Sequence, residues 1–245
     1  MTALPSTGDA PEPRVPDRAR RRPERPLWLV MATYALASLL VVSLVQAFLV
    51  RVHNVSSGSM QNTLGVTDRV LSSRLPYGGG GPARGDIIIF AHGDTWDSTV
   101  RSPDPSPLKQ AARTFGDITG IGISNSNYTV KRVIGLAGDT VACCDTGGRV
   151  LVNNQPLTEP YLFEDIPFRA GSFDCATDPR SSRCFGPITV PVGNLLVMGD
   201  HRSVSGDSVA GCRSALATAD CAKFVRLDQV TGKVIAKVWP PGPVG

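Results

Sequence analysis

Apolar and polar positions divide the chain into unequal stretches. Residues 1–26 are built from Pro, Ala, Arg and acidic side chains with almost no large apolar residue, which predicts a disordered tail. From Leu27 to Val50 the chain runs without a charge, interrupted only by Thr33, Tyr34, Ser38, Ser43 and Gln46. As a helix rising ~1.5 Å per residue these 24 residues span ~36 Å, enough to cross a hydrocarbon core of ~30 Å. The run is too long for the apolar region of a cleavable signal peptide. It ends in Phe48-Leu-Val-Arg51 rather than in a small-x-small cleavage site, so residues 27–50 read as a retained transmembrane anchor. Arg18, Arg20, Arg21, Arg22 and Arg25 precede it and the charge after it is weaker. That asymmetry places the tail in the cytoplasm and residues 51–245 outside the membrane.

Beyond the anchor the apolar positions come in short runs separated by Gly and Pro. Asp68–Ser73 reads as a strand, Pro76–Pro82 as a flexible turn, and Gly85–Phe90 as a turn entering a short apolar strand. Residues 91–127, rich in Gly, Ser, Asp and Pro, read as a variable surface excursion whose Trp96 is a candidate membrane contact. Tyr128–Gly135 is the longest strand-like run. Val141 and Arg149–Val152 suit a hairpin around Thr146–Gly148, followed by a turn at Asn153-Asn154. Residues 159–187 look irregular, Ile188–Pro191 and Asn194–Met198 look like strands, and Ser203–Asp220 reads as a polar loop or short helix. Lys233–Trp239 forms a last strand before Pro240-Pro241 stop it. The predicted fold is mostly β: one N-terminal transmembrane helix, then an extracytoplasmic, antiparallel, β-rich domain.

Composition alters this picture in three places. The net charge of +4 is small and comes partly from the tail arginines, so it gives no reason to expect nucleic acid. All six cysteines lie at or after Cys143, an even count on one side of the anchor, which points to an oxidising compartment and disulfides. Cys175 with Cys184, and Cys212 with Cys221, each bracket a polar loop and are expected to pair. Cys143 and Cys144 are adjacent and are equally compatible with two thiols or a bridge. No CxxC or Cys/His cluster calls for zinc. Finally, five of the 25 basic residues are lysine, so a lysine set into an apolar strand stands out.

That lysine is Lys131, between Val130 and Val133-Ile134. In a strand, Thr129, Lys131 and Val133 share one face and Val130, Arg132 and Ile134 the other, so Lys131 can be buried while Arg132 reaches solvent. Taken alone, the run fits a lysine snorkelling from an edge strand better than it fits a catalytic base. The polar stretch Val55-Ser-Ser-Gly-Ser-Met60 supplies a counterpart. A serine needs a base to become a nucleophile, and burial can strip a lysine of its proton for that task. His53, His92 and His201 look like surface histidines, and Asp86, Asp139, Asp200 and Asp207 sit beside glycines where carboxylates cap turns.

Four segments then point one way. Val55-Ser-Ser-Gly-Ser-Met-Gln-Asn-Thr-Leu64 resembles the serine box of bacterial type I signal peptidases. Gly85–Phe90, Tyr128–Asp139 and Met198–Ser208 resemble the family's other boxes, in the same order behind an anchor. The resemblance covers residues 27–240 apart from the excursion and the cysteine loops. It implies a membrane-anchored serine endopeptidase in which Ser59 is the nucleophile and Lys131 the general base. Ser57 would contribute to the oxyanion hole together with the Ser59 N–H, and Ser205, supported by Asp207, would orient the lysine amine. Residues 51–245 would be the peptidase domain, using no metal or cofactor and acting as a monomer next to membrane lipid. The substrates implied are secretory preproteins cut after small-x-small sites. The sequence departs from the family at Ser56, Asn62 and Ala137, where prolines are usual. It also departs at Val209, where an arginine is usual, which implies that Asp207 lacks its ion-pair partner. The competing readings are a self-cleaving repressor-like Ser/Lys protease, disfavoured by the anchor and cysteines, and a non-catalytic anchored β domain that binds preproteins or export machinery.

Overall fold

The computed structural model describes residues 26–73, 75–77, 80–93, 95–96, 106–119, 127–214 and 216–244. The chain divides into two units, Met1–Leu39 and Leu40–Gly245. The predicted tail, Pro26 excepted, lies outside the described residues, as do parts of the excursion. Helix α1 (Leu27–Phe48) begins in the first unit and ends in the second. Its segment Leu27–Gln46 has a mean hydropathy of 2.1, with none of that stretch buried in the protein, and is long and apolar enough to cross a membrane. The helix stops two residues short of the predicted end, because Val50 already opens β1 (Val50–Asn54). The sequence hid this strand by fusing its first apolar residue to the anchor.

The second unit holds β1 and ten further strands. They are β2 (Arg69–Ser73), β3 (Ile87–Ala91), β4 (Tyr128–Gly135), β5 (Thr140–Cys143), β6 (Val150–Val152), β7 (Gln155–Pro156), β8 (Phe185–Thr189), β9 (Asn194–Met198), β10 (Val225–Arg226) and β11 (Val230–Trp239). Seven form an antiparallel sheet in the order β1-β2-β11-β3-β4-β9-β10, and four form a smaller one, β7-β6-β5-β8. The unbroken apolar run of β3 follows from its being covered on both faces. Ile87 and Ile89 pack with Val55, Met60, Leu64, Val70 and Val234 on one side. Ile88 and Phe90 pack with Trp96, Val133, Leu195, Val197 and Val225 on the other. A third core joins the two sheets through Ile134, Leu196 and Met198 against Val141, Val150, Val152 and Phe185. At that junction Gly135 leaves no room for a side chain, since a Cβ there would lie 2.8 Å from Val141 and 2.9 Å from Val190.

The excursion differs from its expected form. Trp96 is 5 % exposed and stands edge-on to Phe90 at 4.9 Å, so it is a core residue and not a membrane contact. Helix α2 (Pro107–Thr119) follows, where no element was expected. Its start has a physical reason: Pro107 occupies the first helical position, where a missing N–H costs nothing, directly after Ser106. Cys175–Cys184 and Cys212–Cys221 pair as expected, and Cys143 and Cys144 are bonded to each other.

Candidate active site

After β1 the chain tightens into one 3₁₀ turn, Gly58–Met60, which carries Ser59. Met60, 1 % exposed, plugs the turn into the core beneath β3 and fixes its position. Lys131 comes from β4, opposite Ile88 of β3. The apolar neighbours that make this strand also remove water from the amine, and Lys131 is 3 % exposed. Its Nζ lies 2.5 Å from Ser59 Oγ. Burial pulls the Lys131 pKa from 10.5 down to about 8, against the opposing pull of the Asp207 and Asp200 carboxylates. Desolvation therefore wins over both carboxylates, and an appreciable share of the amine is neutral near physiological pH. A neutral amine in this position can accept the Ser59 proton.

The other predicted residues surround this pair. Ser57 caps the turn with its hydroxyl 3.3 Å from Ser59 Oγ, on the solvent side. Ser205 is buried and its Oγ makes no hydrogen bond, so the expected bond to the Lys131 amine is not formed here. Ser205 nonetheless lies beside the nucleophile, because a Cβ at Gly199 would strike both Ser205 Oγ and, at 2.5 Å, the Ser59 carbonyl oxygen. Asp207 is buried and accepts from the Val209 N–H at 3.2 Å. The expected absence of its ion-pair partner is corrected, since Arg213 Nη2 reaches Asp207 Oδ2 at 3.2 Å. Val209 is fully buried in the inter-sheet core, a place where a guanidinium would be desolvated, and the cation comes instead from beside Cys212 in the disulfide-closed loop.

Arg132 also departs from expectation, being 5 % exposed rather than solvated. Its Nε and Nη2 donate to Asp200 at 2.9 and 2.7 Å, its Nη1 donates to Gly85 O at 3.0 Å, and it stacks over Tyr161 at 3.8 Å. Thr63 Oγ1 donates to Asp200 at 2.5 Å. This network ties the turn after Ser59 to the strand bearing Lys131, with Asp200 as the knot. Asp200 therefore serves an ion pair, whereas Asp86 and Asp139 cap turns at Ala83 and Leu136 as well as pairing with Lys233 and Arg84.

Two of the three histidines, His53 and His201, are buried rather than on the surface as expected, and His92 is half-buried. His53 is buried edge-on to Tyr128, and burial followed by the nearby Arg51 lowers its pKa to about 4. His201 is buried, with Nδ1 2.8 Å from Gln61 Oε1 and Nε2 3.2 Å from Glu164. Neither ring bonds to Ser59 Oγ, but the His201 backbone N–H donates to Ser59 O at 3.1 Å. His92 Nε2 lies 2.5 Å from Thr129 Oγ1. Gly199, the His201 backbone and Arg213 were thus missed as site residues. A visible signal existed for Arg213, an arginine directly beside a loop-closing cysteine.

Next to this pair opens a cavity of about 440 Å³, lined on one side by Arg51–Ser57 and on the other by Tyr128–Val130, with Met60 and His92. It lies between two strand edges. β1 ends its sheet, and β4 pairs with β9 only from Arg132 onward, so residues 128–131 of β4 have one edge without a strand partner.

The chain thus combines a helix long and apolar enough to cross a membrane with a β-rich domain in which a buried lysine meets a serine hydroxyl. The signature of the family described as "Signal peptidase, peptidase S26" matches residues 28–239. A signal peptidase I of Mycobacterium tuberculosis (strain ATCC 25618 / H37Rv) is 35 % identical over 231 residues, covering 87 % of this chain and 73 % of that one. A signal peptidase I of Leptolyngbya laminosa is 28 % identical over 246 residues, covering 99 % and 96 %. Among solved structures, a signal peptidase I from Enterococcus faecalis V583 aligns at 25 % identity with a TM-score of 0.34, covering 63 % of this chain and 97 % of that one. The chain belongs to the S26 signal peptidase family, and is a membrane-anchored serine protease.

Proposed function

We propose that this protein removes signal peptides from exported preproteins by acyl transfer through Ser59, with neutral Lys131 as the base. The observation that carries this reading is the 2.5 Å approach of a buried amine, its pKa lowered to about 8, to a serine hydroxyl. With a pKa of about 8, roughly a tenth of the amine is neutral at pH 7, against well under a thousandth for a lysine in water. Ser59 Oγ attacks the scissile carbonyl as its proton passes to Nζ. The ammonium then gives that proton to the leaving amine, and water attacks the acyl-enzyme with Lys131 again acting as base. The developing oxyanion is held by the Ser57 hydroxyl and the Ser59 N–H, an arrangement in which one donor contributes about 3 kcal/mol.

The substrate enters as an added strand between the free edges of β1 and β4, its main chain paired on both sides. Alternate side chains then point into the cavity wall of Val55, Met60 and Val130, which suits small residues at the first and third positions before the cut. Residues 51–245 act as the peptidase domain on the extracytoplasmic face, joined to a cytoplasmic tail by the single span 27–50. Supporting this orientation is the arginine cluster ahead of the span. The test is cleavage of a preprotein in detergent, with sequencing of the new N-terminus. The wild type is expected to cut after a small-x-small site and Ser59→Ala to leave the preprotein intact. Cleavage by Ser59→Ala, or cuts unrelated to such sites, contradicts the assignment.

A further inference from the structure

Helix α2 is mounted inside out for a helix of a water-soluble domain. Leu108, Ala111, Ala112 and Phe115 recur at the spacing of one helical stripe, Gln110 and Arg113 lie opposite it, and Gly116 lies on the flank. An amphipathic helix in water turns the first kind of stripe to the core. Here the reverse holds. Leu108 is 79 % exposed and Phe115 47 %, with Ala111 and Ala112 exposed between them. Gly116 is buried, and Gln110 Oε1 and Arg113 Nε are covered by protein. The stripe left facing outward thus consists of four apolar residues. Lys109 is exposed on its flank, and α2 as a whole contains two cations, Lys109 and Arg113, and one carboxylate, Asp117.

We infer that α2 is a second membrane contact: its outward stripe lies in the interfacial layer of a phospholipid bilayer, with Lys109 among anionic headgroups. Three observations favour lipid over a protein partner. Gln110 and Arg113, the two long polar side chains opposite the stripe, are already half-buried against protein, so the outward stripe sheds little hydration on entering the acyl boundary. The exposed cation Lys109 complements anionic headgroups, and its long stem lets it reach them from beside an apolar stripe. The chain also carries its own bilayer-crossing helix, Leu27–Gln46, so the bilayer is present at high effective concentration, whereas a protein partner must be recruited. A stripe of one leucine, one phenylalanine and two alanines would bind vesicles weakly by itself, but a tethered one needs little affinity to stay seated. The assignment rests on the membrane anchor and not on the catalytic reading, so the two fail independently.

The test uses the full chain in vesicles. All six cysteines are in disulfides, so Leu108→Cys offers one thiol for an environment-sensitive fluorophore. Gln155→Cys, on exposed β7 of the small sheet, is the reference. The label at 108 is expected to be quenched several-fold more by nitroxide-bearing lipids than the label at 155, and to be shielded from aqueous iodide, more so in phosphatidylglycerol-containing vesicles than in neutral ones. Adding Phe115→Asp to the Leu108→Cys chain should return the label to water. Equal iodide access at 108 and 155 in both vesicle types overturns the inference. So does nitroxide quenching unaffected by Phe115→Asp. Shielding that rises with the protein-to-lipid ratio without nitroxide quenching also overturns it, and assigns the stripe to a second copy of the chain.

Discussion

A lysine and a serine meet here because each is placed by apolar neighbours, and the same burial that suits Lys131 to the proposed role of base makes it a liability for stability. Its pKa in the fold, about 8, is below the 10.5 of the unfolded chain, so the native state resists protonation. The penalty is therefore full below pH 8 and fades as pH rises towards 10.5. Replacing Lys131 by Met should abolish cleavage yet raise stability at pH 7 by up to about 3 kcal/mol, the gain shrinking above pH 10. Thermal melts of both proteins at pH 7 and 10 check this, and a destabilised variant at pH 7 contradicts it. Arg213 acts through Asp207 on the same amine. Arg213→Met leaves a buried carboxylate without its cation, at a stability cost of roughly 3 kcal/mol. The unbalanced charge should hold the proton on Lys131 more tightly and move the rise in activity to higher pH. A loss of activity with an unmoved pH profile would mean that Arg213 is structural only. Lys131 and Ser59 were legible because their residue types are unusual in their surroundings. For Arg213 the sequence marked the residue, beside a loop-closing cysteine, but not its partner, because it pairs across six positions of a loop whose path only the disulfide fixes.

Elements position the site by close approach. The end of β9 passes so near the nucleophile turn that Gly199 has no space for a side chain, and the His201 N–H holds the Ser59 carbonyl at 3.1 Å. Gly199→Ala should push Ser59 out of line with Lys131, and a displacement of about 1 Å costs on the order of 100-fold in kcat. The prediction is a folded protein with an unchanged near-ultraviolet spectrum and a crippled rate; near-normal kcat would show that the turn yields elsewhere. The Cys212–Cys221 bridge holds the loop that delivers Arg213. The double Cys212→Ser, Cys221→Ser variant should lose about 2–4 kcal/mol and shift the pH profile in the direction of Arg213→Met. The apolar strands β3 and β9 were readable from sequence for the physical reason that their faces are buried, and β2 and β4 were readable although they bury Ser72, Ser73, Lys131 and Arg132. β1 and α2 were not. β1 merges with the anchor's apolar run, and α2 sits among Gly, Ser and Pro that signal a loop.

At the scale of the molecule, Lys131 on β4 and the turn bearing Ser59 just past β1 meet from places far apart in sequence, and a gap between two strand edges of the same sheet forms the groove. Order along the chain made the family resemblance legible: an anchor, then a serine segment, then a lysine segment. What the sequence withheld was the pairing of polar residues inside the core, Arg132 with Asp200 and Thr63 above all, because alternation predicts which face a residue takes and not what it meets there. The measurement closest to the central claim is the pH dependence of kcat/KM for a preprotein, for the wild type and Lys131→Ala. The wild-type rate should climb with pH to a plateau with an apparent pKa of about 8, and Lys131→Ala should lack both the activity and the climb. A wild-type midpoint near the histidine value of about 6.5, or retained activity in Lys131→Ala, would contradict the dyad.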